Sequence, residues 1–163
     1  MHERRLVVAA RSGCAHRRAL AYSPAMRALV QRVTRAAVRV QGELVGEIGA
    51  GLLVLLGVTH EDDEAVADRL AEKVLALRVF ADAHGHMNEA LGEREILCVS
   101  QFTLYGDTRR GNRPSFVAAA PPEHAEPLYE RFCERTRARR GRFGAHMHVE
   151  LLGDGPVTVM LEL

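Results

Sequence analysis

The sequence predicts an α+β domain: a barrel-like sheet, antiparallel or mixed, with two helices packed on it. Three observations carry this. Some six or seven segments have strand character, only two stretches show the 3.6-residue period of an amphipathic helix, and those two are well separated along the chain. The length of 163 residues favours one domain, and contents of 47% hydrophobic and 26% charged residues are ordinary for a globular protein. No apolar run approaches the roughly 20 residues that span a bilayer.

The first 25 residues stand apart. They hold five Arg and one Glu, a balance of +4, and leave −3 for the remainder of the chain. This segment has no sustained periodicity and no clear apolar core for a secretory signal, although its composition can mimic a transit peptide. Residues 1–25 are expected to be a disordered or mis-started extension, with Met26 a plausible true start, and residues 26–163 to form the domain. A domain that is slightly acidic is not broadly basic, so contact with nucleic acid must come from local patches.

From Met26 the elements follow in order. "RALVQRVT" and "AAVRVQ" alternate and read as strands, Gln41–Glu43 supplies a turn, and "LVGEIG" returns as the hairpin partner. "GLLVLLGV" is a buried strand. The first helix lies in "THEDDEAVADRLAEKVLALRVF", with Val66, Leu70, Val74 and Leu77 on one stripe, and Thr59 with Asp62 suggesting a capping box. "ADAHGHMNEALGE" reads as loop. "EILCVSQFTL" is β-prone throughout, and "YGDTRRGNRPSF" is a loop. The second helix lies in "PPEHAEPLYERFCERTRAR", with Ala125, Leu128 and Phe132 inward; Pro127 suggests a start a few residues after Pro122. Strands "HVELL" and "VTVMLEL" close the chain, with "GDGPVT" between them as a hairpin turn.

Several residues are candidates for chemistry. As a strand end, Ser100–Leu104 puts Gln101 and Thr103 on one face and Ser100 and Phe102 on the other, beside a glycine-rich loop suited to presenting backbone N–H groups. A hydroxyl nucleophile needs a base in reach, and none of the eight His residues sits in a recognisable pairing. His146 and His148 share a strand face without further ligands, and Cys14, Cys98 and Cys133 show no zinc spacing. No metal or cofactor is expected, and Cys98, inside an apolar strand, and Cys133, on a helix face, read as buried thiols in a reducing cytosol. Two arginine groups, one at Arg109, Arg110 and Arg113 and one running from Arg135 to Arg142, are suited either to solvent or to phosphate. Arg32 lies within an apolar strand, where a guanidinium must be paired or donate to carbonyls, so it is a candidate brace for irregular backbone. Gly155-Pro156 is a turn signal whose bond can be cis.

In combination, "MRALVQRVTRAAVRVQGELVGEIGAGLLVLLGV", "SQFTLYGDTRRGNRPSF", "GRFGAHM" and "DGPVT", in order over Met26–Leu163, closely resemble D-aminoacyl-tRNA deacylases of the bacterial and eukaryotic type. The family's Ser-Gln-Phe-Thr motif is matched by Ser100, Gln101, Phe102 and Thr103, and its Asn-x-Gly-Pro motif by Gly153–Thr158. The resemblance implies the family fold and a cytoplasmic homodimer, with no membrane, DNA, metal or cofactor. Its substrate would be the 3′ end of aminoacyl-tRNA. Each site would join one subunit's Ser100–Thr103 to the other's cis Gly155-Pro156, braced by Arg32. Carbonyls of that motif would exclude L side chains, a specificity by rejection. Glycyl-tRNA, including glycine mischarged on the alanine tRNA, would be a second substrate. Backbone N–H groups near Gln101 and Phe102 would stabilise the oxyanion, and the terminal 2′-hydroxyl would help activate water. Gly153 departs from the family's Asn and leaves the loop without that side chain. A noncatalytic nucleic-acid-binding module and a small-ester hydrolase using Thr103 are the other readings.

Overall fold

The computed structural model describes residues 25–163; the expectation for the N-terminal segment and for Cys14 lies outside them. β1 (Arg27–Val40) is one continuous strand where the sequence suggested two, and it organises the fold. One edge pairs antiparallel with β3 (Gly51–Gly57) and then with β2 (Glu43–Ile48); its other edge pairs antiparallel with β8 (His148–Glu162). Gln41 and Gly42 turn β1 into β2 with φ of 51° and 86°, the paired positive values of a tight hairpin turn. β6 (Glu95–Ser100) lies parallel to β3, and the two-residue β7 (Arg139–Arg140) lies parallel to β6. The result is a mixed, nearly closed barrel-like sheet in the order β2-β1-β3-β6-β7, with β8 on β1.

Each face of the sheet has its own core. On one, Val30, Leu52, Val54, Leu56 and Ile96 meet the two helices through Leu70, Val74, Tyr129 and Phe132. On the other, Val33, Val38, Ile48, Leu53, Leu97 and Val99 form a second buried cluster. The apolar-on-both-faces strands β3 and β6 follow from this double burial.

α1 spans Glu64–Leu75 and is capped by Asp63, whose carboxylate accepts the Val66 N–H at 2.8 Å. The expected Thr59–Asp62 box instead closes the preceding turn: the buried Asp62 accepts the Thr59 N–H at 2.7 Å, and desolvation raises its pKa. The helix ends at Leu75 with Ala76 as its C-cap, so Leu77 lies beyond it. α2 spans Pro122–Thr136, so Pro127 falls inside it. The helix starts at Pro122 because its buried face, Leu128, Tyr129, Phe132 and Cys133, outweighs one missing N–H. Arg131 ties the helices together with a two-pronged contact to Asp68, 2.8 Å on each prong.

Two further expectations are corrected. The segment after α1 is not all loop: β4 (Phe80–Ala81) and β5 (Met87–Glu89) form a small hairpin, nucleated by Asp82, which accepts the N–H groups of His84 and His86. "GDGPVT" is not a hairpin turn, because the chain continues in the same direction as β8 on both sides of it.

Candidate active site

β6 ends at Ser100, and the chain then coils into a 3₁₀ turn, Phe102–Tyr105. The strand alternation expected for Gln101 and Thr103 is thereby lost. Three contacts impose the turn. The Gln101 N–H makes a last bond to the Leu56 carbonyl at 2.7 Å, the Tyr105 hydroxyl shares its one proton between the carbonyls of Ala25 and Gly57 at 2.7 and 3.1 Å, and Arg27 Nη1 donates to the Leu104 carbonyl at 2.5 Å. Arg27 also lies over the Tyr105 ring, 4.5 Å from its centroid.

The consequence for chemistry is specific. Because the Gln101 N–H is engaged, it is not free to receive an oxyanion. The first N–H groups of a helical turn have no acceptor within it, and here Phe102 and Thr103 open the turn with no backbone acceptor among the described residues. The Gln101 side-chain amide donates to Thr103 Oγ1. No histidine or carboxylate hydrogen-bonds Ser100 or Thr103 among the described residues; His60 and His124 meet the carbonyls of Val117 and Asp62. His146 and His148 stack edge to face at 5.3 Å, and no metal-holding group of His, Cys, Asp and Glu occurs among the described residues.

Beside the 3₁₀ turn opens an apolar cavity of about 410 Å³, lined in part by Ser100, Phe102, Phe116, Tyr129 and Phe143. Phe116 meets Phe102 edge-on at 5.1 Å, and Phe143 meets Tyr129 at 5.7 Å. The Tyr129 hydroxyl donates to the Cys98 carbonyl at 2.9 Å, and burial pushes its pKa far up, so it is a structural donor. Cys98 and Cys133 are both buried and free, and burial raises the Cys98 thiol. Residue-by-residue reading missed this cavity. Its signal was the aromatic residue in each of two motifs far apart in sequence, "RPSF" and "GRFG", which nothing local joins.

The second group of candidates lies on β8. Val33 of β1 is opposite Gly153 and Gln31 is opposite Thr158, so Asp154–Val157 together face one residue, Arg32. Four residues against one must leave the ladder, and they form an exposed bulge containing the cis Gly155-Pro156 bond. Arg32 fastens its base: Nε donates to the Asp154 carbonyl at 3.1 Å and pairs with its carboxylate at 3.0 Å, while Nη1 donates to the Val79 carbonyl at 2.5 Å. Gly155 has φ of 140°, and a Cβ there would lie 2.5 Å from the Val157 nitrogen, so the position favours glycine on both counts. Gly153 has open space around it, and the brace on Asp154 does not depend on an Asn there. Within one chain the two groups line different cavities: Arg32 and Asp154 border a separate space of about 310 Å³.

Comparisons of sequence agree on one family. The profile of the family described as D-Tyr-tRNA(Tyr) deacylase matches residues 29–162. A D-aminoacyl-tRNA deacylase of Symbiobacterium thermophilum is 60% identical over 144 residues, 84% of this chain and 95% of the relative. One from Escherichia coli O1:K1 / APEC is 55% identical over 145 residues, 85% of this chain and the whole relative. Among solved structures, a c-Myc DNA unwinding element binding protein superposes with a TM-score of 0.79 at 45% identity, over 84% of this chain and 98% of that one. A probable eukaryotic D-amino acid tRNA deacylase superposes at 0.74 with 18% identity over 85% and 100%, a likeness of fold. The chain belongs to the D-aminoacyl-tRNA deacylases, hydrolases of the ester that joins a D-amino acid to tRNA.

Proposed function

We propose that the protein is a cytoplasmic chiral proofreader, working as a homodimer in which the β8 bulge of one subunit enters the cavity mouth of the other. The observation that carries this reading is the four-against-one bulge, exposed and rigidly braced on a strand whose outer edge is unpaired in the single chain. Leu151, Leu152 and Met160 on the same strand are 42%, 54% and 44% exposed, an apolar surface that a second β8 would cover.

In this arrangement the apolar cavity takes the base of the tRNA's terminal adenosine among Phe102, Phe116 and Phe143. The ester carbonyl then lies over the start of the 3₁₀ turn, where the Phe102 and Thr103 N–H groups receive the developing oxyanion. Water, activated with the help of the terminal 2′-hydroxyl, adds to the ester carbon. The bond to the ribose oxygen breaks, that oxygen takes a proton, and the D-amino acid and tRNA leave. Thr103, occupied by Gln101 and without a base, positions that side chain and is not the nucleophile. The Gly155 and Pro156 carbonyls of the partner stand where an L side chain would have to go. Glycine offers no side chain to reject, so glycyl-tRNA, including glycine mischarged on the alanine tRNA, is also hydrolysed.

A noncatalytic nucleic-acid-binding role is the second reading, and it is favoured by the name of the structural relative described as binding a DNA element. Incubation with D-Tyr-tRNA, L-Tyr-tRNA and Gly-tRNA separates the two. Release from the D and glycyl substrates with the L ester spared supports proofreading. Binding to tRNA or duplex DNA with no release from any ester supports the second reading.

A further inference from the structure

The geometry points to Arg110 and Arg113 as the residues that hold the sugar-phosphate backbone of the single-stranded 3′ end of the tRNA at the mouth of the apolar cavity. This rests on aminoacyl-tRNA being the substrate, and deepens that reading by assigning a polynucleotide contact to residues outside the two family motifs.

The loop is built as a rigid extension of the cavity rim. Asp107 and Ser115 exchange backbone hydrogen bonds at 2.8 and 2.9 Å and close its base. Immediately before Asp107, the Gly106 N–H bonds the Thr103 carbonyl at 3.0 Å; immediately after Ser115, Phe116 lines the cavity and packs on Phe102. Asp107 then consumes one arginine of the three. Its carboxylate accepts the Arg109 N–H and Nε at 2.9 Å each and Nη2 at 2.6 Å, which holds its pKa well below the usual carboxylate range and fixes the turn.

Arg110 and Arg113 are exposed on that turn, and neither has an acidic group in ion-pair contact among the described residues. The second arginine group differs. Arg135 pairs with Asp68 and Glu72, Arg139 with Glu95, Arg140 with Glu130 and Glu134, and Arg142 with Glu43, which among the described residues leaves only Arg137 of that group without an acidic partner. Two basic clusters that are alike in sequence are thus unlike in structure. The helix-end cluster is largely neutralised by its own protein, whereas Arg110 and Arg113 stay exposed on a loop whose closing end, at Phe116, lines the cavity, with Arg110 in only longer-range attraction to Asp107. A terminal nucleoside seated base-first in an apolar cavity leaves its 5′ phosphates at the mouth. Guanidinium groups presented there bind them without reading sequence.

The double variant R110A/R113A tests this in three measurements. With D-Tyr-tRNA, kcat/KM is expected to fall on the order of tenfold at moderate salt, carried by KM. The slope of log affinity for uncharged tRNA against log salt should become shallower by about 1.4, at roughly 0.7 per contact on a single strand. Hydrolysis of 2′(3′)-O-D-tyrosyl-adenosine, which lacks phosphates, should be unchanged, and R135A/R139A should leave the salt slope as in the wild type. Equal losses on the tRNA and the adenosine ester, an unaltered salt slope, or the same slope change in R135A/R139A would overturn the assignment. If the wild-type protein hydrolyses no ester, the proofreading reading fails, while the salt slope for uncharged tRNA still decides the arginine contact.

Discussion

Arg32 and Phe102 carry the account at the scale of single residues. Arg32 was legible in the sequence because a guanidinium within an apolar strand demands acceptors; it finds them in the carbonyls of Asp154 and Val79. Substituting Arg32 by Leu is expected to lower unfolding free energy by about 1–3 kcal/mol, the usual range when charge-assisted bonds are lost and carbonyls stay unsatisfied. Because the bulge loosens at the same time, the ratio of D- to L-ester hydrolysis should fall more than D-ester turnover. Phe102 offers a test of a backbone donor. It is the first residue of its turn, where proline is tolerated. Phe102→Ala removes the ring and keeps the N–H, whereas Phe102→Pro removes both. The proline variant should be slower than the alanine variant in kcat by a further ~10²–10³, the cost of one oxyanion donor; equal rates would place the oxyanion elsewhere. Thr103→Ala should stay within a few-fold of wild type in the same assay, whereas a nucleophile's loss would abolish turnover.

Elements were legible where one period dominates and illegible where a side chain reaches across the fold. β2, β3 and the two halves of β1 could be read because alternation and a Gln-Gly turn are local signals, but not that β1 runs through as one strand. The end of β6 could not, because Arg27 and Tyr105, held by residues remote in sequence, coil a β-prone stretch into a 3₁₀ turn. The bulge in β8 was read as a hairpin turn for a similar reason: Gly and Pro signal departure from the ladder, but only the register against Arg32 shows that the strand resumes in the same direction. The helix pair carries a pH prediction. Arg131 lowers the Asp68 pKa from 3.8 in the folded state. A depressed carboxylate contributes stability above its unfolded pKa and loses it as pH falls through the folded value. Thermal unfolding of Asp68→Asn should therefore show a deficit against wild type at neutral pH that closes below about pH 3.8, with the acid limb of the wild-type profile the steeper.

At the scale of the whole molecule, the two halves of the proposed site border different cavities of one chain, and the proposed function therefore calls on a second copy to join them. The family resemblance implies a site shared between subunits, and the unpaired outer edge and exposed apolar residues of β8 are what the proposed pairing would use. Leu152→Glu puts a charge into the face that the partner would cover, and sedimentation should show a shift toward monomer together with loss of D-ester hydrolysis. A purified heterodimer of Phe102→Pro with Gly155→Ala, carrying a different tag on each subunit, separates sites formed between subunits from sites formed within one. Gly155→Ala displaces the bulge through its φ and its contact with Val157, so its homodimer is expected to hydrolyse L-Tyr-tRNA as well as D-Tyr-tRNA. If sites form between subunits, the heterodimer has one site with both lesions and one with neither. It should cleave D-Tyr-tRNA at about half the wild-type rate and spare L-Tyr-tRNA, in keeping with the non-additivity expected of residues acting as one unit. Hydrolysis of L-Tyr-tRNA by the heterodimer would mean that each chain's bulge serves its own turn, and would contradict the account.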